Sequence, residues 1–321
     1  MVDERVRLGA LGLGASPFGN LYRSVTEEDA AQVVDEMWAG GVRYFDTAPH
    51  YGLGLSEIRL GRALARRPRD EFVVSTKVGR LLVARSDGRP VADTEGFVVE
   101  SHLERRWDFT AAGVEASLAA SRERLGLERT DVVYLHDPED HLDVALAEGV
   151  PALAAMRERG EISAIGVGSK SPAAITRIIE TGLIDVVMLA GRYTLLDQSA
   201  LEDVLPAAAK HGVDVVAVGI YNSGILATSR PDENSMFEYE PVTAPVLDRA
   251  RRLAAACAEF GVELPHAAMH FPLRHPSVVN VTVGIGRPRH VASTLRWADE
   301  PVPDALWTRL ADEDLIPGVP A

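Results

Sequence analysis

Short β-branched apolar runs alternate with amphipathic stretches along the whole chain. Eight of the runs read as strands: residues 11–15, 43–47, 72–76, 131–136, 164–168, 185–189, 214–218 and 279–283. Several are apolar without a break, as strands buried on both faces are. The stretches between them place apolar residues at helical spacing. The clearest is 26–40. Thr26 stands at the cap position with Asp29 three residues on. Ala30, Val33, Val34, Met37 and Trp38 share one face, and Gly40-Gly41 ends the run.

Eight strands separated by helices predict a parallel (β/α)8 barrel, the α/β TIM-barrel architecture, as one domain over residues 1–321. The competing architecture is a doubly wound open sheet, which binds dinucleotides through G-x-G-x-x-G after a strand. That fingerprint is missing. Gly12-Leu13-Gly14 leads to Pro17 where the third glycine belongs, and Gly284-Ile285-Gly286 leads to Arg289. Two connections are unusually long, 78–109 after the third strand and 227–243 after the seventh. Loops of this kind act as lids or binding loops. In a barrel both open on the C-terminal face, where active sites form.

Composition narrows the function classes. The net charge is −14, which argues against a nucleic-acid surface, because phosphate binding needs a basic stripe. No apolar run reaches transmembrane length, and the first residues carry Asp3, Glu4, Arg5 and Arg7 instead of a signal-peptide core, so a cytoplasmic location is expected. The single cysteine, Cys257, shares a helical stripe with Val246, Ala250, Leu253 and Phe260 and reads as a core residue.

Four polar residues stand at or just beyond strand ends: Asp46, Tyr51 in the following loop, Lys77 and His136. Singly, each has an ordinary structural reading: a loop-satisfying carboxylate, a packed aromatic, a solvated strand end, a core histidine. A barrel brings all four to one mouth. Their chemistry is coherent there. Hydride addition to a carbonyl leaves an alkoxide that needs a proton. A phenol with pKa about 10 releases one with difficulty near neutrality, and a neighbouring ammonium favours the phenolate. Lys77 supplies that charge, Asp46 holds Lys77, and His136 orients the carbonyl oxygen. Tyr51 acts as the base in the oxidative direction. His136, Asp137, Asp140 and His141 cluster in one loop and read as solvated polar residues, with no metal expected.

Asp46-Thr47-Ala48-Pro49-His50-Tyr51-Gly52, Ser75-Thr76-Lys77 and Leu135-His136 resemble the tetrad-bearing motifs of the aldo-keto reductase family, and the resemblance covers nearly the whole chain. It implies NAD(P)-dependent oxidoreduction of a small sugar, alcohol or carbonyl, without metal, with the roles just given to the four residues. Gly19-Asn20-Leu21-Tyr22, Thr76 to Arg80, His136-Asp137-Pro138, Leu189 to Asp197 and Asn222 to Leu226 are similar to a narrower branch. That branch contains L-fucose (D-threo-aldose 1-) dehydrogenases and pyridoxal 4-dehydrogenases. It implies oxidation of a sugar hemiacetal to a lactone, or of a related alcohol.

The resemblance also assigns cofactor and substrate positions. Gly219, Asn222, Ser223, Gly224 and Leu226 follow the seventh strand; Gly284, Gly286, Arg287, His290 and Thr294 follow the eighth, where amides at a helix N-terminus favour phosphate. The family's Ser-Asn after the fifth strand is replaced by Gly166 to Lys170, its glutamine by Ala190 and its stacking aromatic by Val218. Ser169 and Arg192 are the expected substitutes. Substrate walls are expected from Tyr22, His50, Trp107 and Phe109. The family's usual lysine and arginine for NADP fall at Gly284 and His290, so use of either NADP or NAD is expected, with Arg287 discriminating. The alternatives are a cofactor-sensing binding subunit with little turnover, an aldehyde or pyridoxal-type reductase-dehydrogenase, and a metal-dependent barrel hydrolase.

Overall fold

A computed structural model describes residues 6–317. Its eight barrel strands are β1 (Leu11–Gly14), β2 (Tyr44–Asp46), β3 (Val73–Val78), β4 (Val132–His136), β5 (Ala164–Ser169), β6 (Val186–Ala190), β7 (Asp214–Val218) and β8 (Val278–Gly284). They pair in parallel in the order β1-β8-β7-β6-β5-β4-β3-β2 and close back on β1. The expected strands are all present, with ends shifted by one or two residues. The shift matters at β3, which runs on through Lys77 to Val78 and so places Lys77 on the barrel wall.

The core has two layers. Tyr44, Tyr134, Met188, Val186 and Val216 fill the inside of the barrel with Leu8. A larger cluster lies between the strands and the helices. Inside the barrel the Tyr44 hydroxyl meets Ser75 Oγ at 3.0 Å and the Tyr134 hydroxyl at 3.1 Å, so these buried phenols are partnered. Helix α1 (Glu27–Ala39) forms as its pattern requires. Thr26 Oγ1 accepts from Asp29 N at 3.0 Å, three acids occupy the first turn, and Ala30, Val33, Val34 and Met37 are buried. Trp38 lies half-buried at its end, with the Arg43 guanidinium 3.9 Å from its ring centroid. Helices α2 (Leu55–Leu64) and α3 (Ala111–Leu125) complete the units after β2 and β3.

The long connections are not structureless. After β3, two antiparallel strand pairs form, Arg80–Ala84 with Leu103–Trp107 and Val91–Ala92 with Glu100–Ser101. After β7, Met236–Phe237 pairs with Glu240–Pro241. Both stand over the C-terminal mouth. Cys257 is buried in the helix Ala244–Glu259, and burial pushes its thiol up to about 12, so it packs as a small apolar residue.

Candidate active site

Register brings the chemistry together. Gly14 pairs with Asp46, Asp46 with Ser75, Lys77 with Tyr134, and His136 with Gly168. Asp46, Lys77 and His136 therefore lie on the same face of the wall, Lys77 and His136 each two residues further along its strand than the partner of the one before. Lys77 Nζ donates to Asp46 Oδ2 at 2.7 Å and to the Thr47 carbonyl at 3.0 Å. Ser75 Oγ donates to Asp46 Oδ1 at 2.7 Å, so both carboxylate oxygens are held. Burial, the largest single influence, works against the Lys77 charge, but Asp46 and Tyr51 together outweigh it and keep the ammonium above its ordinary range.

Tyr51 arrives from the β2–α2 loop. Gly52, Leu53 and Gly54 all take positive φ there, which turns the chain sharply into α2. Ser56 Oγ fastens that turn by donating to the Ala15 carbonyl at 2.6 Å. Lys77 Nζ sits 4.8 Å from the Tyr51 ring centroid. The Tyr51 phenol is raised above its ordinary value by burial, with Lys77 pulling the other way. The ammonium thus acts in the expected sense, while desolvation is the larger effect and leaves the phenol protonated at neutral pH. The His136 ring stands 5.9 Å from the Tyr51 ring, nearly perpendicular. Burial, and then the nearby Arg80 and Lys77 charges, hold His136 well below its usual pKa, so it is neutral.

A cleft of about 610 Å³ opens beside the tetrad and reaches from Asp46 and Tyr51 to His290 and Thr294. Its walls include Gly14, Ala190, Val218, Gly219, Gly284 and Gly286. The residues present fit a dinucleotide. A Cβ on Gly286 would lie 2.8 Å from Pro17 Cβ, so only glycine lets this wall form. Asn222 Oδ1 is buried without a hydrogen-bond partner beside the cleft-lining Ser223 and Gly224. Arg23, Arg287, Arg289 and His290 crowd one another at the His290 end. None of the three arginines has a carboxylate partner among the described residues.

The structure places the sequence-expected residues unevenly. Gly219, Ser223, Gly224, Gly284, Gly286, His290 and Thr294 line the cleft, as does Tyr22. Four of the expected residues are buried or already engaged. Leu226 is fully buried in the core, so its side chain meets no ligand. Arg192 is spent on ion pairs, 2.9 Å to Asp197 and 2.8 Å to Glu238, and latches the Met236–Pro241 hairpin. The Ser169 hydroxyl donates to Glu139 Oε2 at 2.9 Å, so its hydrogen is already committed. Phe109 is only 2 % exposed, lies beneath Trp107 with ring centroids 6.0 Å apart, and is a packing residue, not a substrate wall.

Trp107 does reach the surface, and Arg80 lies flat on it with Cζ 4.2 Å from the ring centroid. Arg80 Nη1 is 3.2 Å from His50 Nδ1, and Arg80 Nη2 donates to Asp137. Burial and then the Arg80 charge hold His50 down to about 2, so it is a neutral wall beside His136 and Phe97. Arg105 donates to Asp93 and, at 2.9 Å, to the His50 carbonyl. Sequence reasoning gave Arg80, Asp137, Phe97 and Arg105 no role. The available signal was that Arg80 follows Lys77 by three residues and Asp137 adjoins His136.

Comparison with known proteins gives the family. Residues 10–313 match the model of the aldo/keto reductase family. The chain is 48% identical to the D-threo-aldose 1-dehydrogenase of a Pseudomonas species, covering 96% of this chain and 94% of that protein. It is 36% identical to the pyridoxal 4-dehydrogenase of Microbacterium luteolum, again over 96% and 94%. It is 30% identical to the L-galactose dehydrogenase of Arabidopsis thaliana over 87% and 81%. Among solved structures, an aldo-keto reductase from Bacillus halodurans superposes with a TM-score of 0.76 at 24% identity, covering 97% of this chain and 95% of that one.

Proposed function

The chain belongs to the aldo/keto reductase family and is an NAD(P)-dependent oxidoreductase, and from that premise we propose that it is a cytoplasmic aldose 1-dehydrogenase oxidising a sugar hemiacetal to a lactone. The observation that carries the proposal is the convergence of Asp46, Tyr51, Lys77 and His136 at one end of the dinucleotide-sized cleft. The similarity to a D-threo-aldose 1-dehydrogenase supports the sugar class.

When bound, the oxidised nicotinamide supplies the acceptor for the C1 hydride. Tyr51, in the phenolate form that the Lys77 ammonium favours, takes the proton of the C1 hydroxyl, so loss of hydride from carbon and proton from oxygen leaves the lactone carbonyl. Lys77, held charged by Asp46, lowers the cost of the phenolate. His136, neutral, donates to the substrate oxygen and fixes its direction toward Tyr51. Gly219, Gly284 and Gly286, which line the cleft without side chains, and Ser223 and Thr294 beside them would hold the cofactor. In reduction the same phenol gives its proton to the alkoxide.

The test is steady-state turnover with NAD⁺ and NADP⁺ on D-arabinose, D-ribose, pyridoxine-type alcohols and simple alcohols. Oxidation of D-arabinose, whose C2 and C3 hydroxyls are threo, is the expected result. Tight cofactor binding with no multiple turnover on any of them would instead support the cofactor-sensing reading.

A further inference from the structure

The Arg80–Asp137 pair is placed oddly for a structural ion pair. At Gly79 the chain turns with φ +100°, and a Cβ there would collide with the Phe109 ring. This tight turn sends Arg80 back toward the tetrad instead of out along the hairpin. Its side chain is about 10 % exposed. Asp137 takes φ +46°, an uncommon conformation that aspartate tolerates better than most residues. Its amide donates to the Gly168 carbonyl at 2.9 Å, and its carboxylate faces inward to both Arg80 and His136. Asp137 Oδ2 is 3.5 Å from His136 Nε2.

His136 Nδ1 is buried and has no partner. A bare ring nitrogen tolerates that better than an N–H, so the proton sits on Nε2. The substrate oxygen accepts from this Nε2–H while facing Tyr51. The next oxygen along a sugar, on C2, then falls toward the carboxylate that borders Nε2.

We propose that Asp137 and Arg80 form a subsite for the hydroxyl on the carbon adjacent to the reacting one, making the enzyme selective for 2-hydroxylated substrates. Asp137 accepts from the C2 hydroxyl, and the Arg80 fork donates to its oxygen. A paired acid and base suit a hydroxyl, which is both donor and acceptor. Two guanidiniums, Arg80 and Arg105, face three carboxylates, Asp137, Asp93 and Glu95, so the pocket carries no excess of positive charge. A neutral polyol is accommodated there, whereas a carboxylate next to the reacting carbon would face Asp137. A substrate lacking the hydroxyl displaces water from this partly buried pair without replacing its hydrogen bonds, and such sites reject deoxy analogues strongly.

This inference deepens the aldose reading, and the test separates the two. D-arabinose, D-ribose and 2-deoxy-D-ribose carry the C2 hydroxyl in one configuration, in the other, and not at all. Wild-type kcat/KM should be at least about tenfold higher for D-arabinose than for 2-deoxy-D-ribose. Asp137→Asn, chosen because asparagine also accepts positive φ, should lose at least about tenfold on D-arabinose and change little on 2-deoxy-D-ribose. Arg80→Lys, which keeps the charge and loses the fork, should narrow the same ratio and serves if the first variant does not fold. Equal losses on both sugars, or no wild-type discrimination, would overturn the subsite. If no sugar is oxidised, the aldose reading fails by itself, and the subsite is decided by glycolaldehyde against acetaldehyde in reduction. Equal kcat/KM for that pair would overturn it.

Discussion

Thr76 Oγ1 donates to Glu57 Oε1 at 2.8 Å on the outer side of β3, one residue before Lys77 turns into the barrel. Glu57 is wholly buried on α2, and Arg124 of α3 donates to its other oxygen at 2.5 Å. Neighbouring residues of one strand thus hold the helix that follows Tyr51 and the ammonium that faces it.

Removing Arg124 strands the Glu57 charge. Arg124→Ala should cost about 3 kcal/mol, the lower end for breaking a buried pair because Arg124 is partly exposed. Urea unfolding reads this directly. A midpoint and slope equal to wild type would show that water replaces the guanidinium at no cost.

Tyr51→Phe keeps the ring against Phe97 and His136 and deletes the hydroxyl placed for proton transfer. We expect kcat to fall at least about a hundredfold while cofactor Kd changes little. Near-normal turnover removes Tyr51 from the proton path.

The tetrad was legible because strand ends of a barrel share one mouth, so four separated residues needed only the strand pattern to be united. The strand pattern itself survived because β4, β5 and β6 are almost wholly buried and therefore almost continuously apolar. Long-range side-chain choices were not legible. Arg192 was expected to replace a missing nicotinamide contact, yet Asp197 and Glu238 claim it. Leu226 lies in the expected loop but faces the core, because Ser223 and Gly224 take positive φ just before it. Trp107 was readable as an exposed aromatic in a long loop. That its face supports Arg80 depends on the Arg80–Trp107 strand pairing, which no periodicity announces.

Asp137 gives a pH test. Burial first, then the Glu139 charge, raise its carboxyl to about 6, with Arg80, Lys77 and Lys170 opposing. Its ordinary value is 3.8, so between about 4 and 6 the folded chain keeps a proton that the unfolded chain has released. This group therefore favours folding most at low pH, and that contribution is lost as pH rises through 6. Activity runs oppositely, since the carboxylate is the form that pairs with Arg80 and reads the hydroxyl. D-arabinose kcat/KM should fall below pH about 6, by up to ~tenfold per unit. His50, held down to about 2, and His136, also lowered, stay neutral and do not supply this limb. The limb should vanish in Asp137→Asn; its persistence there would assign it elsewhere.

Cofactor choice is the last consequence of the cleft. NADP differs from NAD by one phosphate, so discrimination depends on cations at the adenosine end. Burial and then the Arg287 and Arg289 charges lower Arg23, and burial and then Arg289, Arg23 and Arg287 lower His290. These groups repel one another, and a dianion placed among them relieves that repulsion. Arg287 is extended at the entrance of the turn Pro288–His290, which leads into the helix Val291–Asp299, so its backbone and side chain both sit at a helix entry. Arg287→Ala should raise the NADP Kd by about tenfold, the worth of one exposed charge-assisted contact, and barely move NAD. Raising the ionic strength should weaken NADP more in the wild type than in the variant, because an exposed charge contact is screened. Isothermal titration with both dinucleotides at two salt concentrations measures all of this. Equal losses for NAD and NADP would place Arg287 on the shared pyrophosphate, and Arg23 or Arg289 would then carry the discrimination.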